Sequence, residues 1–171
     1  MVLDIKIRKE VEADYSQREI ILDDCFGKDR NNRTVYIYRK IPSIKELSLI
    51  SYLKKEPKVV IGTIRFYRVL IEGFHCLLLG PLAVDKLYQG KGFGKKLIQK
   101  GLDLAKENGE KICFVSGEYD YYCHYGFKKL SSINLNIIVP GPISFKDLLI
   151  YEFNNDAKNY LKNNSQLLPS N

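Results

Sequence analysis

The sequence predicts one α/β domain, a mixed sheet with helices on its faces. Three observations carry that expectation. Short segments rich in β-branched and aromatic residues recur along the chain. Two segments have apolar residues at helical spacing and stop at glycines. The second half reads strand, helix, strand, helix, strand, strand, an order that places helices against a sheet. A chain of 171 residues, 45% of them hydrophobic, is long enough for one domain with a buried core, and a charged content of 27% excludes wholesale disorder.

Each element follows from its own pattern. Residues 3–8 alternate as a strand. Residues 11–26 place Val11, Tyr15, Ile20, Ile21 and Leu22 on a helical stripe that Gly27 ends. Residues 34–41 are ambiguous: their β-branched and aromatic content favours a strand. Residues 47–53 and 59–70 are strand-like, with Glu56-Pro57-Lys58 as the turn of a hairpin. Residues 75–84 form a further apolar strand, followed by the glycine-rich stretch 89–94. Residues 95–108 are an amphipathic helix with Leu97, Ile98, Gly101, Leu102 and Ala105 on one face, closed by Gly109. A short buried strand is expected at 111–115, and one or two aromatic helical turns at 119–125, ended by Gly126. Residues 133–139 and 148–153 alternate as strands, with Pro140-Gly141-Pro142 beginning their connection. The domain is expected to span residues 1–162, and the Asn-rich segment 163–171 to be a flexible tail.

Composition excludes several function classes. The best apolar stretch, 76–84, is interrupted by Gly80 and Pro81 and falls short of the ~20 residues of a membrane helix. The N-terminus is charged from Asp4 onward, so no secretory signal is visible and a cytoplasmic location is expected. Cys25, Cys76, Cys113 and Cys123 form no CxxC pair, and with two histidines no zinc spacing exists, so no metal is expected. The net charge of +7 is compatible with nucleic acid, an acidic surface or a phosphorylated small ligand. No nucleic-acid-binding motif is present.

The strongest local signal is a strand, a short link, QGKGFG and a helix. The first N–H groups of a helix lack intrahelical partners and carry partial positive charge, and glycine lets a backbone approach an anion closely. Neither common nucleotide motif fits. A Walker A loop needs glycine where Gln89 stands and Ser or Thr where Lys96 stands. A Rossmann turn needs G-x-G-x-x-G, whereas Gly90, Gly92 and Gly94 are spaced by two. Taken alone, the stretch is equally an ordinary tight strand-to-helix turn.

The pattern Q-x-x-G-x-G at Gln89, Gly92 and Gly94 resembles the pyrophosphate loop of the GNAT superfamily of N-acetyltransferases. LLLGPLAVDKLYQGKGFGKKLI and the later GEYDYYCHYGF together resemble its YhbS-like bacterial subgroup. The match is specific over residues 77–127 and extends from 5 to 153; Glu118, Tyr119 and Tyr125 depart from the subgroup's Asp, Pro and Phe. The resemblance implies the GNAT fold, a mixed, mostly antiparallel central sheet with helices on both faces and a splayed parallel strand pair. It also implies that residues 34–40 belong to the second helix, against their propensity.

The same resemblance implies acetyl-CoA as cosubstrate, its pantetheine arm lying between Leu82, Ala83 and Val84 and the strand 114–117. A backbone N–H near these residues would stabilise the thioester oxyanion. Backbone N–H groups of Gln89, Gly90, Lys91, Gly92, Phe93, Gly94 and Lys95 would wrap the pyrophosphate, with Lys91, Lys95 and Lys96 adding charge or forming a solvated helix face. Tyr122, four residues before Gly126, would be the acid that protonates the leaving thiolate, or else a packing aromatic. Glu118, Asp120, Glu72 and His124 are candidate bases; Glu118 is equally a cap of the short aromatic helix. Cys76 and Cys113 read as small core residues.

The implied reaction is direct acetyl transfer to a primary amine on a small molecule or peptide, by a monomer or homodimer, without nucleic acid or membrane. The alternative is a non-catalytic acyl-CoA-binding or regulatory domain. Acceptor recognition is assigned to residues 24–45, 68–75 and 140–146, which are mixed in charge. Lys86, Lys91, Lys95, Lys96 and Lys100 cluster at the loop and its helix and account for most of the +7.

Overall fold

The structure, a computed structural model, describes residues 4–32, 34–139 and 148–170. The expected connection at Pro140-Gly141-Pro142 and the candidate acceptor segment 140–146 lie outside the described residues.

The chain builds β1 (Ile5–Lys9), α1 (Tyr15–Phe26), β2 (Leu49–Leu53), β3 (Glu56–Ile71), β4 (Phe74–Val84), α2 (Phe93–Glu107), β5 (Ile112–Ser116), α3 (Tyr119–Tyr122), β6 (Lys128–Lys129), β7 (Ile137–Ile138), β8 (Leu148–Glu152), β9 (Ser165–Gln166) and β10 (Leu168–Pro169). The main sheet runs β1-β2-β3-β4-β5-β8-β6, with β10 added beside β3. Its pairs are antiparallel except β4 with β5. This is the mixed, mostly antiparallel sheet the sequence leads one to expect.

Strand alternation divides the core between two faces. Leu77 and Leu79 of β4, with Cys113 and Val115 of β5, meet Leu97, Ile98, Leu102 and Ala105 of α2. Cys76 and Leu78, with Ile112 and Phe114, face the other side, where Tyr38, Leu135, Leu161 and Leu167 cover them. Two parallel strands covered on both faces must read as unbroken apolar runs, as these do. Gly101 lets α2 lie close on the sheet: a Cβ there would come within 2.7 Å of the Phe66 ring. Cys76 and Cys113 are fully buried, and burial pushes the Cys76 thiol up to about 12 and the Cys113 thiol well above its ordinary range. Both are core residues rather than nucleophiles.

Four details correct the sequence reading. The turn of the first hairpin falls at Lys54-Lys55, and Glu56, Pro57 and Lys58 begin the exposed end of β3. Of the expected stripe, Val11, which precedes α1, and Tyr15 and Ile20 on it are exposed, and Arg18 is buried beside Ile21 and Leu22. Arg18 is tolerated there because Glu10 and Glu19 accept from it at 2.7 and 2.6 Å, while the Tyr15 ring lies 4.5 Å from its guanidinium. The strand expected over 133–139 is reduced to Ile137–Ile138, preceded by a 3-10 turn at Leu130–Ile133.

The fourth correction concerns residues 163–170, which are docked rather than loose. Ser165 and Gln166 pair in parallel with β7, and Leu168 and Pro169 pair with β3. Leu167 is fully buried, and the Tyr38 hydroxyl donates to its carbonyl at 2.8 Å. The Asn-rich composition that suggested fraying serves local pairing instead: Asn163 accepts from the Asn136 amide, and Asn164 from the Asn136 side chain. Leu167→Ala is therefore expected to destabilise the protein by roughly 2–5 kcal/mol, read as a lowered urea midpoint; an unchanged midpoint would restore the flexible-tail expectation.

Residues Thr34–Arg39 form a 3-10 helix. Its composition favours a strand, yet it pairs with none of the described strands, and Tyr38 is buried against the second face of the sheet.

Candidate active site

The site begins with a defect in β4. Ile64 of β3 faces Leu82, whereas Phe66 faces Leu79, so Gly80 and Pro81 occupy the space opposite Arg65 alone. One extra residue makes a bulge, which bends the strand and ends pairing on its other side. Gly80 has φ +129°, and its peptide bond to Pro81 is cis. The parallel pairing of β4 with β5 spans Leu77–Leu79 and Cys113–Val115. Beyond Leu79, Leu82, Ala83 and Val84 stay paired with Ile64, Thr63 and Gly62 of β3 while their β5 side is open. A cleft of about 840 Å³ occupies the splay, within the range of ligand sites. Leu82, Ala83 and Val84 form one wall, and Val115, Ser116 and Gly117 the other.

The glycine-rich loop closes one end. Gly92 is the N-cap of α2 in the left-handed region, φ +77°, and Gly90 has φ +72°. Nothing lies within 4 Å of a Cβ built on either, so backbone conformation rather than crowding requires glycine. Intrahelical bonding starts when the Lys96 amide donates to the Gly92 carbonyl, leaving the preceding amides of the first turn for an external acceptor. That turn carries Lys95 and Lys96 and no acid, the reverse of what the helix dipole favours; a bound anion resolves the conflict. Among the described residues, none of Lys86, Lys91, Lys95, Lys96 and Lys100 is in an ion pair.

Loop residues divide by task. Gly90, Gly92, Phe93, Gly94 and Lys95 line the cleft. Phe93 is buried against Ile5 and Ile61 and anchors the loop to the sheet. Gln89 also lines it, and its side chain donates to the Val84 carbonyl at 2.9 Å, tying the loop to the end of β4. Lys91 turns back, donating to the Leu87 carbonyl at 3.0 Å with its ammonium 5.3 Å from the centre of the Tyr88 ring.

Tyr122 stands on the opposite wall. Gly117 makes room for its ring, because any Cβ there would collide with it. The Phe127 ring at 5.5 Å and the Tyr121 ring at 5.0 Å hold it edge-on. Burial holds its hydroxyl well above the usual phenol range, partly opposed by the charge of Arg39. It is therefore protonated throughout neutral pH, as a proton donor must be. Burial also widens the gap to a thiol near ~8.5, and Arg39 narrows it. Tyr121 reaches the loop: its hydroxyl would lie 2.9 Å from a Cβ on Gly94.

The candidate bases do not enter the cleft. Glu118 is the exposed N-cap of α3, makes no side-chain capping hydrogen bond and lies outside the cleft lining. Asp120 is exposed on α3 and His124 on the 3-10 turn Cys123–Tyr125 that follows it, and Glu72 sits in the β3–β4 turn, about 20 Å along β4 from the splay. Among the described residues no carboxylate or imidazole lines the cleft.

The segment 24–45, assigned to acceptor recognition from the sequence, supplies the roof of the cleft, although no single residue of it is singled out by sequence alone. Arg30, Tyr36 and Arg39, in the 3-10 turns after α1, and Cys25 and Phe26 at the end of that helix all line the cleft. Within that segment, the aromatic and basic content of residues 34–41 is the local signal for Tyr36 and Arg39. Arg30 pairs with Glu19 and Asp23, and against the cost of burial its hydrogen bonds to Tyr36 and Glu19 hold its guanidinium above the usual arginine range. Arg39 is differently placed and is taken up below.

A bulged strand splayed from its parallel neighbour, with a glycine-rich helix start at the wide end, is the architecture of acyl-CoA-dependent acyltransferases. The chain belongs to the Acetyltransferase (GNAT) family, whose sequence model matches residues 16–122. It is 28% identical over 137 residues to the Escherichia coli (strain K12) protein described as uncharacterized N-acetyltransferase YhbS, covering 79% of this chain and 80% of that one. It is 34% identical over 85 residues to uncharacterized N-acetyltransferase YjhQ of the same strain, covering 46% of each. Among solved structures it is similar to Escherichia coli YhbS in complex with CoA, with TM-score 0.80 and 24% identity over 97% of this chain and 91% of that one. A Brucella melitensis GNAT acetyltransferase in complex with acetyl-CoA matches with TM-score 0.71 and 24% identity over 98% and 96%.

Proposed function

We propose that this protein transfers the acetyl group of acetyl-CoA to a primary amine by direct attack, with no covalent enzyme intermediate and no metal. The observation that carries the proposal is the splay of β4 from β5 beyond Leu79, wide enough for a ligand and open to unpaired strand backbone. YhbS and the Brucella enzyme, similar in fold, are seen with CoA and acetyl-CoA.

The residues present fit that cosubstrate. The first amides of α2, with Lys95 and Lys96 beside them, take the phosphates. The open edge of Leu82, Ala83 and Val84 takes the amide-bearing pantetheine arm, and an N–H of that edge holds the thioester oxygen as negative charge develops on it. Attack of the neutral amine forms the C–N bond, the C–S bond breaks, and Tyr122 donates its proton to the departing thiolate. The proton lost by the amine leaves through water, because no described base lines the cleft. The loop, the edge and Tyr122 make the cofactor-binding and catalytic assignments of this reading; Glu118 has no part in it.

The test is calorimetric and kinetic. CoA should bind far more tightly than NAD or ATP, and thiol release from acetyl-CoA should rise with at least one amine of a broad panel. A preference for NAD or ATP would overturn the assignment of the cleft. CoA binding without thiol release for any amine would replace the enzyme by a non-catalytic acyl-CoA-binding domain.

A further inference from the structure

Arg39 is the least satisfied charge beside the cleft. Its guanidinium reaches the bulge of β4: a Cβ on Gly80 would sit 2.6 Å from Nη2. Tyr36 and Tyr67 cover it, with ring centres 4.7 and 5.9 Å away. Aromatic rings satisfy the faces of a guanidinium but not the N–H groups in its plane. The Tyr36 hydroxyl accepts a hydrogen bond from the guanidinium, but among the described residues the buried Nε has no hydrogen-bond partner. Among the described residues no carboxylate pairs with Arg39, whereas Arg8, Arg18, Arg30, Arg65 and Arg68 each pair with one. Burial accordingly pulls its affinity for the proton down.

A buried donor left unmade costs about 1–3 kcal/mol, and an unpaired charge more. Such a group persists in a binding site when a ligand completes it. Position says which ligand. Arg39 lies at Gly80, where the strands begin to separate, and Arg39 and Tyr122 feel each other's charge. The phosphate loop lies beyond Val84, about 13 Å further along β4. Arg39 is thus at the reacting end of the cleft, not the phosphate end. A guanidinium edge presents parallel N–H groups that match the two oxygens of a carboxylate. The lining holds Arg30, Arg39 and Lys95 and, among the described residues, no acid. Such a lining disfavours an acceptor with a second positive charge and favours one with a negative charge.

We propose that Arg39 binds a carboxylate of the acceptor, so that the substrate is an amine that also carries a carboxylate, of the amino-acid type. This rests on the acetyl-transfer reading for the identity of the ligand as acceptor; the carboxylate site itself does not need turnover.

The experiment separates the two. Calorimetry with CoA present compares N-acetyl amino acids with their carboxamides, product-like probes that differ only in the carboxylate. The acids should bind at least tenfold more tightly to the wild-type protein. Arg39→Gln should remove that preference and leave CoA affinity within a factor of about three. Arg39→Lys keeps the charge but not the paired N–H groups and should lose most of the preference with CoA affinity retained. Equal binding of acid and carboxamide to the wild type, or a full preference surviving in either variant, overturns the proposal. A parallel thiol-release assay uses amino acids and their decarboxylated amines. Acetylation of both kinds at equal kcat/KM overturns the carboxylate proposal and leaves acetyl transfer standing. A carboxylate preference in binding with no thiol release leaves the Arg39 site standing and sinks acetyl transfer.

Discussion

Gly92→Val is expected to weaken acetyl-CoA binding by roughly 10- to 100-fold, measured by calorimetry. Gly92 caps α2 at φ +77°, a conformation that costs a non-glycine residue about 1–3 kcal/mol and a β-branched residue the upper part of that range. Nothing surrounds the position that a larger side chain would strike, so the free loop can relieve the strain by turning its peptide groups away. The relaxed loop no longer aims the first amides of α2 at one point, and the strain must be restored for phosphates to bind. The cost therefore falls on affinity rather than on folding. The unfolding midpoint should change little, and Gly92→Ala should show a smaller loss of the same kind. Affinity within a factor of about three of the wild type would remove the phosphates from this loop.

Tyr122→Phe is expected to lower kcat by about 100-fold or more while the dissociation constant of CoA changes by less than about threefold. General acids contribute roughly 10²–10⁴ in rate, and the hydroxyl is the only group removed. The ring, which carries the packing against Gly117 and Phe127, stays. The split is the informative part, since a purely structural tyrosine would disturb binding and turnover together. The pH profile adds a second reading. Because burial raises the Tyr122 hydroxyl above the usual phenol range, its ionisation removes no activity near pH 8–9. An unchanged kcat in the phenylalanine variant would end the acid role.

Much of this architecture is legible in residue order. The helix of residues 95–108, the apolar runs of β4 and β5, and the first hairpin follow from period and composition, because their buried faces repeat along the chain. The errors fall where a residue's partner is distant. The expected helical stripe leaves out Arg18, whose burial depends on the counter-charge of Glu10. The C-terminal segment looked too polar to dock until Tyr38, β3 and β7 supplied its bonds. Residues 34–39 have strand composition but pair with no described strand and form a 3-10 helix. Glu118 stands close to Tyr122 in sequence, yet as the exposed N-cap of α3 it lies outside the cleft lining.

Residue order by itself determined the kind of protein this is: the spacing of Gln89, Gly92 and Gly94 between an apolar strand and an amphipathic helix, and Tyr122 before Gly126, are local patterns that a chain carries without folding. Tertiary structure alone decided the shape and charge of the cleft. The bulge at Gly80-Pro81 becomes a cleft only because β5 stops pairing at Val115. Arg39, far away in sequence, reaches that cleft only because the 3-10 helix that carries it packs across the sheet. Whether a charge is paired depends on every neighbour that folding brings to it, and no spacing along one segment records that sum.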